Sequence, residues 1–224
     1  MQLAVLDLAG TTMADDGLVL AALRAGLRAA RVRVDGPGYP ALDRQARSTM
    51  DRSAITVLGE LLDGDMYRAR RAHSAFTEYL TAAADDGRVR PVPGAPQALD
   101  ALHDAGLKIA VICGFDPDLR DRLVVALDFG ARVDLLLSPA DVDGRGLPEP
   151  DLLHAAIRRT GCTASQVAVA GDATADIDAA VRAGAGLVIG VRGGAHGEPR
   201  LRAAGADAVI DSVADLPALL GLPG

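Results

Sequence analysis

The chain has 224 residues, half of them hydrophobic, which is enough for one full α/β core with a small accessory unit and too little for two ordinary independent domains. A formal charge of -7 repels nucleic-acid phosphates, and no run of Lys or Arg supplies a backbone-binding patch, so nucleic acid is not expected as a partner. The first twelve residues lack a basic segment and their apolar run is broken by Asp7, so neither a signal peptide nor a membrane span is expected; with Cys113 and Cys162 the only cysteines, no disulfide framework is expected either, and a cytoplasmic location is the simplest assumption.

The first predicted element is a strand at residues 3–6, a short apolar run without alternation, as in a parallel sheet covered on both faces. Residues 18–86 contain no convincing strand but three amphipathic helical runs, at 18–30, 51–62 and 65–84. From there helix and strand alternate: helix 95–105, strand 107–112, helix 117–127, strand 133–137, helix 151–159, strand 167–170, helix 175–183, strand 187–191, helix 200–204 and strand 208–210. That order predicts an α/β fold: a Rossmann-like parallel-sheet core of residues 1–14 and 90–224, with a helical cap of residues 15–89 inserted after the first strand. Turn-forming residues mark both joints, Ala14-Asp15-Asp16-Gly17 on the way out and Pro91-Val92-Pro93-Gly94 on the return.

The first strand runs into Asp7-Leu8-Ala9-Gly10-Thr11-Thr12, a carboxylate at the carboxyl end of a buried parallel strand followed by a small-residue loop. Ligands of open α/β sheets bind at that edge. Read alone, Asp7 is as well explained by capping a turn. Val167-Ala168-Val169-Ala170-Gly171-Asp172 repeats the arrangement, and Asp176 follows one helical turn later. An N-capping aspartate and a solvated helix residue would account for that pair by itself. Three carboxylates gathered at one edge would repel each other unless a cation sat among them, and hard oxygen ligands suit Mg²⁺.

These motifs, together with Asp15-Asp16-Gly17, Gly114-Phe115-Asp116 and Ser138-Pro139-Ala140-Asp141-Val142, resemble the haloacid dehalogenase superfamily, and within it the branch of phosphonoacetaldehyde hydrolase and its phosphonatase-like relatives. The resemblance implies a cap of the C1 type and a small phosphorylated or phosphonate metabolite as substrate. It implies that Asp7 attacks phosphorus to give an aspartyl-phosphate. Asp7, the Ala9 carbonyl and Asp172 would hold Mg²⁺, and Asp176 would orient a metal water. Thr11 and the backbone at Gly114 would donate to the phosphoryl oxygens. A homodimer formed through the cap is implied by the resemblance alone.

Four positions depart from the pattern the resemblance implies. Ala9 stands where most phosphatases of the superfamily carry a general acid, whose loss typically costs about 10²–10⁴ in rate. The cap lysine that forms an iminium in phosphonoacetaldehyde hydrolase is missing; the nearest basic residue of that stretch is Arg52, and a guanidinium that stays protonated cannot replace it. Lys108, the only lysine, begins a strand whose active-site end is Cys113, roughly 16 Å away at about 3.3 Å per residue. Cys113 replaces the usual Ser or Thr of the second motif, as a weak donor to phosphate or simply a small buried strand residue. The basic residue of the third motif should directly precede a Pro-x-Pro run, yet in Gly144-Arg145-Gly146-Leu147-Pro148-Glu149-Pro150 the candidate, Arg145, is displaced; it either bridges Asp7 and phosphate or is a solvated loop arginine.

The other conspicuous residues take plainer readings. His73, His103, His154 and His196 show no ligand spacing and read as surface or capping residues, Phe76 and Tyr79 read as helix packing, and the turn at 193–197 borders the site. Three functions follow as expectations. The leading one is an Mg²⁺-dependent phosphatase acting through Asp7. The second is a C–P hydrolase of phosphonoacetaldehyde or a relative, and the third a catalytically weak homologue that binds such a ligand.

Overall fold

The computed structural model describes residues 1–34 and 53–222. Six strands form one parallel sheet: β1 (Leu3–Asp7), β2 (Lys108–Ile112), β3 (Leu135–Leu137), β4 (Val167–Gly171), β5 (Leu187–Val191) and β6 (Ala208–Ile210), in the order β3-β2-β1-β4-β5-β6. The apolar runs become strands because both faces are covered. Ala4 and Leu6 pack into one hydrophobic core and Leu3 and Val5 into a second on the opposite face. The chain progresses outward in one direction through β2 and β3 and in the other through β4, β5 and β6, so the order reverses between β1 and β4. That is the switch point at which such sheets open a crevice beyond the strand carboxyl ends.

The two edges of the sheet start by the same device. Asp134 donates its amide to the Ile109 carbonyl and takes the Ile109 amide on Oδ2 at 2.7 Å; Asp207 does the same with Val188, at 2.8 Å. Each aspartate side chain replaces a backbone acceptor, which is why β3 begins at Leu135 and not at the Val133 that hydropathy suggests.

Among the described residues, three helices stand between β1 and the return to the sheet: α1 (Leu18–Ala29), α2 (Ala54–Leu61) and α3 (Met66–Asp85). α1 and α3 approach closely because Gly26 has no side chain; a Cβ there would lie 2.6 Å from the Ala72 carbonyl oxygen. Arg68 of α3 donates from Nε and Nη2 to the Ala30 carbonyl at 3.1 and 2.9 Å, satisfying the open end of α1. The remaining helices flank the sheet: α4 (Ala95–Asp104), α5 (Pro117–Ala126), α6 (Asp151–Thr160), α7 (Thr174–Ala183), α8 (Glu198–Ala204) and α9 (Leu216–Leu219). The outgoing and returning links of the insert are paired: the Ala14 amide donates to the Arg90 carbonyl and the Val92 amide to the Thr12 carbonyl, each at 2.9 Å, around an antiparallel bridge between Met13 and Pro91. Among the described residues no helix is long and apolar enough to cross a membrane.

Candidate active site

The register brings the chemistry together. β1 pairs in parallel with β4, with Leu6 opposite Ala170, so Asp7 ends one strand beside the Gly171-Asp172 end of the other. α7 starts three residues after β4 and turns Asp176 back over that edge. Carboxylate oxygens of Asp7, Asp172 and Asp176 lie within 4.8 Å of one another. They form the floor of a cavity of about 410 Å³ between the sheet edge and the helical insert. The described part of its wall carries two further carboxylates, Asp15 and Asp16, and no Lys, Arg or His.

Each carboxylate of the trio is held by its surroundings. Asp172 accepts from Thr11 Oγ1 on Oδ1 at 3.1 Å and from the Ala195 amide on Oδ2 at 2.5 Å. It also fills the space left by two glycines: a Cβ at Gly10 would fall 2.5 Å from Asp172 Oδ2, and one at Gly194 only 1.8 Å from it. Asp176 Oδ2 accepts the Ala173 amide at 3.0 Å, so it closes the first turn of α7 as a capping residue while belonging to the cluster. Gly171 makes room for it, because a Cβ there would meet Asp176 Cβ and Cγ at 2.3 Å. Below Asp7 the Thr12 hydroxyl donates to the Asp7 carbonyl at 2.9 Å and locks the turn that follows the strand.

The three carboxyls act on one another electrostatically. Burial, reinforced by the charges of Asp176 and Asp172, holds the Asp7 carboxyl well above the usual carboxylate range, and burial also raises Asp172 against the opposing hydrogen bonds from Ala195 and Thr11. Three converging hard oxygen donors at a water-accessible cavity fit Mg²⁺. A carboxyl raised in the folded state binds protons that the unfolded chain has released, so without a cation stability falls as pH rises from the ordinary carboxylate value through the raised ones. A cation held by the trio would reverse that trend. At a hundredfold excess over its Kd, Mg²⁺ is expected to add about 2.7 kcal/mol, or about 5–10 °C in melting temperature at about pH 8, and clearly less at about pH 5, where protons compete. An equal shift at both pH values, or none, would remove the metal from the trio.

The sequence-derived candidates separate. Asp7, Ala9, Asp172, Asp176, Cys113 and Gly114 all line the cavity. Thr11 is buried beneath it, and its hydroxyl donates to Asp172. Of the two readings of Arg145, the structure fits the solvated loop arginine and not the bridge between Asp7 and phosphate. Its guanidinium is largely exposed and pairs with Asp151 at 2.8 Å, because the tight turn through Asp143 and Gly144 carries it outward; the buried side chain directly before Pro148 is Leu147, and it lines the cavity. Arg52 lies outside the described residues. Lys108 donates Nζ to the Thr160 carbonyl at 2.7 Å, at the amino end of β2 and away from the carboxylates.

Cys113 continues the sheet hydrogen bonding, donating its amide to the Leu137 carbonyl, and burial pushes its thiol up to about 12. It is therefore a thiol at neutral pH and no nucleophile. A disulfide-exchange reagent is expected to label one cysteine of the native protein, the half-buried Cys162, and the second only on unfolding; rapid native labelling of Cys113 would contradict this environment.

Several functional contacts are invisible in the sequence pattern. The 193–197 turn borders the site as expected, through the Ala195 amide and the bare Cα of Gly194. His196 is buried, donates its amide to the Asp172 carbonyl at 3.0 Å and accepts the Thr174 amide on Nδ1 at 2.9 Å, which ties the turn to the start of α7. The capping reading fits it; the signal was a histidine in a glycine-rich turn directly after a strand. Phe76 packs as expected and also lines the cavity, whereas Tyr79 lies under the Arg88 guanidinium.

Comparison with known proteins agrees with this geometry. Residues 1–184 match the family model of the haloacid dehalogenase-like hydrolases, and the chain belongs to that family. It is 32% identical over 139 residues to a phosphoglycolate phosphatase (plasmid) of Cupriavidus necator, covering 62% of this chain and 59% of that one. It is 31% identical over 150 residues to a phosphonoacetaldehyde hydrolase of Aeromonas hydrophila, covering 56% and 54%. These alignments span little more than half the length of either relative. In three dimensions it superposes on a hydrolase from Pseudomonas syringae with a TM-score of 0.84 at 23% identity, over 99% of this chain and 98% of the other, which establishes a shared fold.

Proposed function

We propose that the protein is a phosphatase of small phosphorylated metabolites in which Asp7 is the nucleophile and the helical insert, residues 15–89, acts as a cap that closes over the substrate. The observation that carries this reading is the convergence of Asp7, Asp172 and Asp176 at the switch point of the sheet, at the floor of a cavity. Asp7, Asp172 and the Ala9 carbonyl would hold Mg²⁺, which when bound supplies the positive charge that lets a carboxylate approach a phosphoryl group. Asp7 attacks phosphorus in line with the departing group, giving an aspartyl-phosphate. Thr11 and Ala195 keep the Asp172 carboxylate turned to the same edge, and Asp176 is held by the amino end of α7, where it can orient water. The insert contributes Val19, Leu23, Val57 and Phe76 to the wall, so closure removes water from around the phosphoryl group.

The relation to a phosphonoacetaldehyde hydrolase raises C–P cleavage as the alternative, and the position of Lys108 argues against its iminium route. A second reading, a ligand-binding homologue of low activity, is favoured by one observation: Leu147 and not a cation faces the cavity before Pro148. The deciding experiment mixes protein, Mg²⁺ and a panel of phosphate monoesters and phosphonoacetaldehyde, quenches in acid, and reads the peptide containing Asp7 by mass spectrometry. A phosphoryl adduct on Asp7 together with released phosphate is expected. Turnover without any adduct on Asp7 under rapid quench would refute the nucleophile, and binding without turnover would favour the ligand-binding reading.

A further inference from the structure

We infer that the preferred substrates are phosphate monoesters of an apolar, uncharged aromatic hydroxyl, whose oxygen departs as a stable anion without being protonated. The inference rests on the phosphatase reading above and adds the identity of the leaving group.

Two independent features carry it. The first is the missing proton. Ala9 lines the cavity, and its methyl side chain has no proton to give. The wall residues Asp172 and Asp176 belong to the trio at the sheet edge and accept the Ala195 and Ala173 amides, Asp15 accepts the Val19 amide, and Asp16 is exposed at the rim. Burial leaves the Cys113 thiol a very weak acid. When Asp7 forms its bond to phosphorus, the phosphorus–oxygen bond of the ester breaks and its electron pair stays on the departing oxygen. An alkoxide formed this way is too basic to leave readily, whereas a phenolate is not. Water then attacks the aspartyl-phosphate, releases a proton and inorganic phosphate, and restores Asp7.

The second feature is the wall that meets the leaving group. Val19, Leu23, Val57 and Phe76 of the insert face Phe115 and Leu147 of the core, and the rings of Phe76 and Phe115 lie 6.2 Å apart at a 35° tilt. Aromatic rings pack favourably against such a pair. Among the described residues no Lys or Arg on the wall can pair with a second anionic group, while five acidic side chains line it. About 410 Å³ falls within the range that holds a small organic ligand.

The test measures phosphate release with Mg²⁺ for ring-substituted phenyl phosphates of graded phenol acidity, for glycerol phosphate and for phosphoglycolate, each against Asp7→Asn. Expected are a kcat/KM that falls steeply as the phenol becomes more basic, and a preference of about 10²-fold or more for phenyl phosphate over both non-aromatic esters. Ala9→Asp is expected to shrink that ratio by raising turnover of the alkyl ester. Release that depends on Asp7 but is as fast from glycerol phosphate or phosphoglycolate, or indifferent to phenol acidity, would overturn the leaving-group assignment and leave the phosphatase reading standing. No release above the Asp7→Asn blank from any ester would overturn both.

Discussion

Asp7→Asn is expected to lower turnover by about 10⁴-fold or more, roughly 5 kcal/mol of barrier, while the folded protein becomes more stable in the absence of Mg²⁺. The two effects share one cause. The amide fits the space of the carboxylate but has no electron pair suited to attack phosphorus, so the chemistry stops. Replacing the carboxylate also removes the buried charge, and with it the repulsion from Asp176 and Asp172, that together raise Asp7 above the usual carboxylate range. In the wild type the folded state takes up protons as pH falls through that raised value; in the variant this part of the pH dependence disappears. Kinetics and chelator-treated thermal melts over a range of pH read both. A variant that is inactive but less stable than wild type at neutral pH would mean that Asp7 is a structural residue. One that is stabilised but still active would dismiss it as nucleophile.

Gly194→Ala should be nearly as damaging although it adds one carbon atom. Its Cβ would lie 1.8 Å from Asp172 Oδ2 and 2.3 Å from Cγ, and the carboxylate cannot retreat because Thr11 holds its other oxygen and Gly10 closes the opposite side. Asp172 must rotate out of the trio. A loss of about 10²-fold or more in kcat/KM is expected, with a higher Mg²⁺ requirement and a stability cost of about 1–3 kcal/mol from overpacking. Gly193→Ala is the comparison, since nothing lies closer than 3.8 Å to its Cβ, and it should lose far less. Equal losses at the two positions would mean that turn flexibility, and not the Asp172 contact, sets the requirement for glycine.

The sheet was legible because parallel strands covered on both faces must be continuous apolar runs, and each predicted strand overlaps an observed one. At the start of β3 the boundary moved because the Asp134 side chain intervened. The four-residue helix Leu216–Leu219 is too short to display a period and was not anticipated. The carboxylate trio was legible for a related reason: a residue at the end of a buried parallel strand has its place fixed by register. Loops carry no such constraint. Nothing in Gly144-Arg145-Gly146 discloses that Arg145 turns outward to Asp151 and leaves Leu147 facing the cavity, nor does a lone histidine disclose that its Nδ1 secures the start of a helix.

The paired links around Met13 and Pro91 bear on how such a protein can change over time. Because the chain leaves and re-enters the core side by side, the backbone of the insert joins the sheet at a single place. Provided the contacts of Phe76 with Phe115 and of Asp85 with Arg122 are kept, changes in the rest of the insert are expected to leave the register of β1 with β2 and β4, and with it the three carboxylates, in place. Recombination at this joint could thus exchange one substrate preference for another in a single event, with the hydrolytic machinery inherited intact.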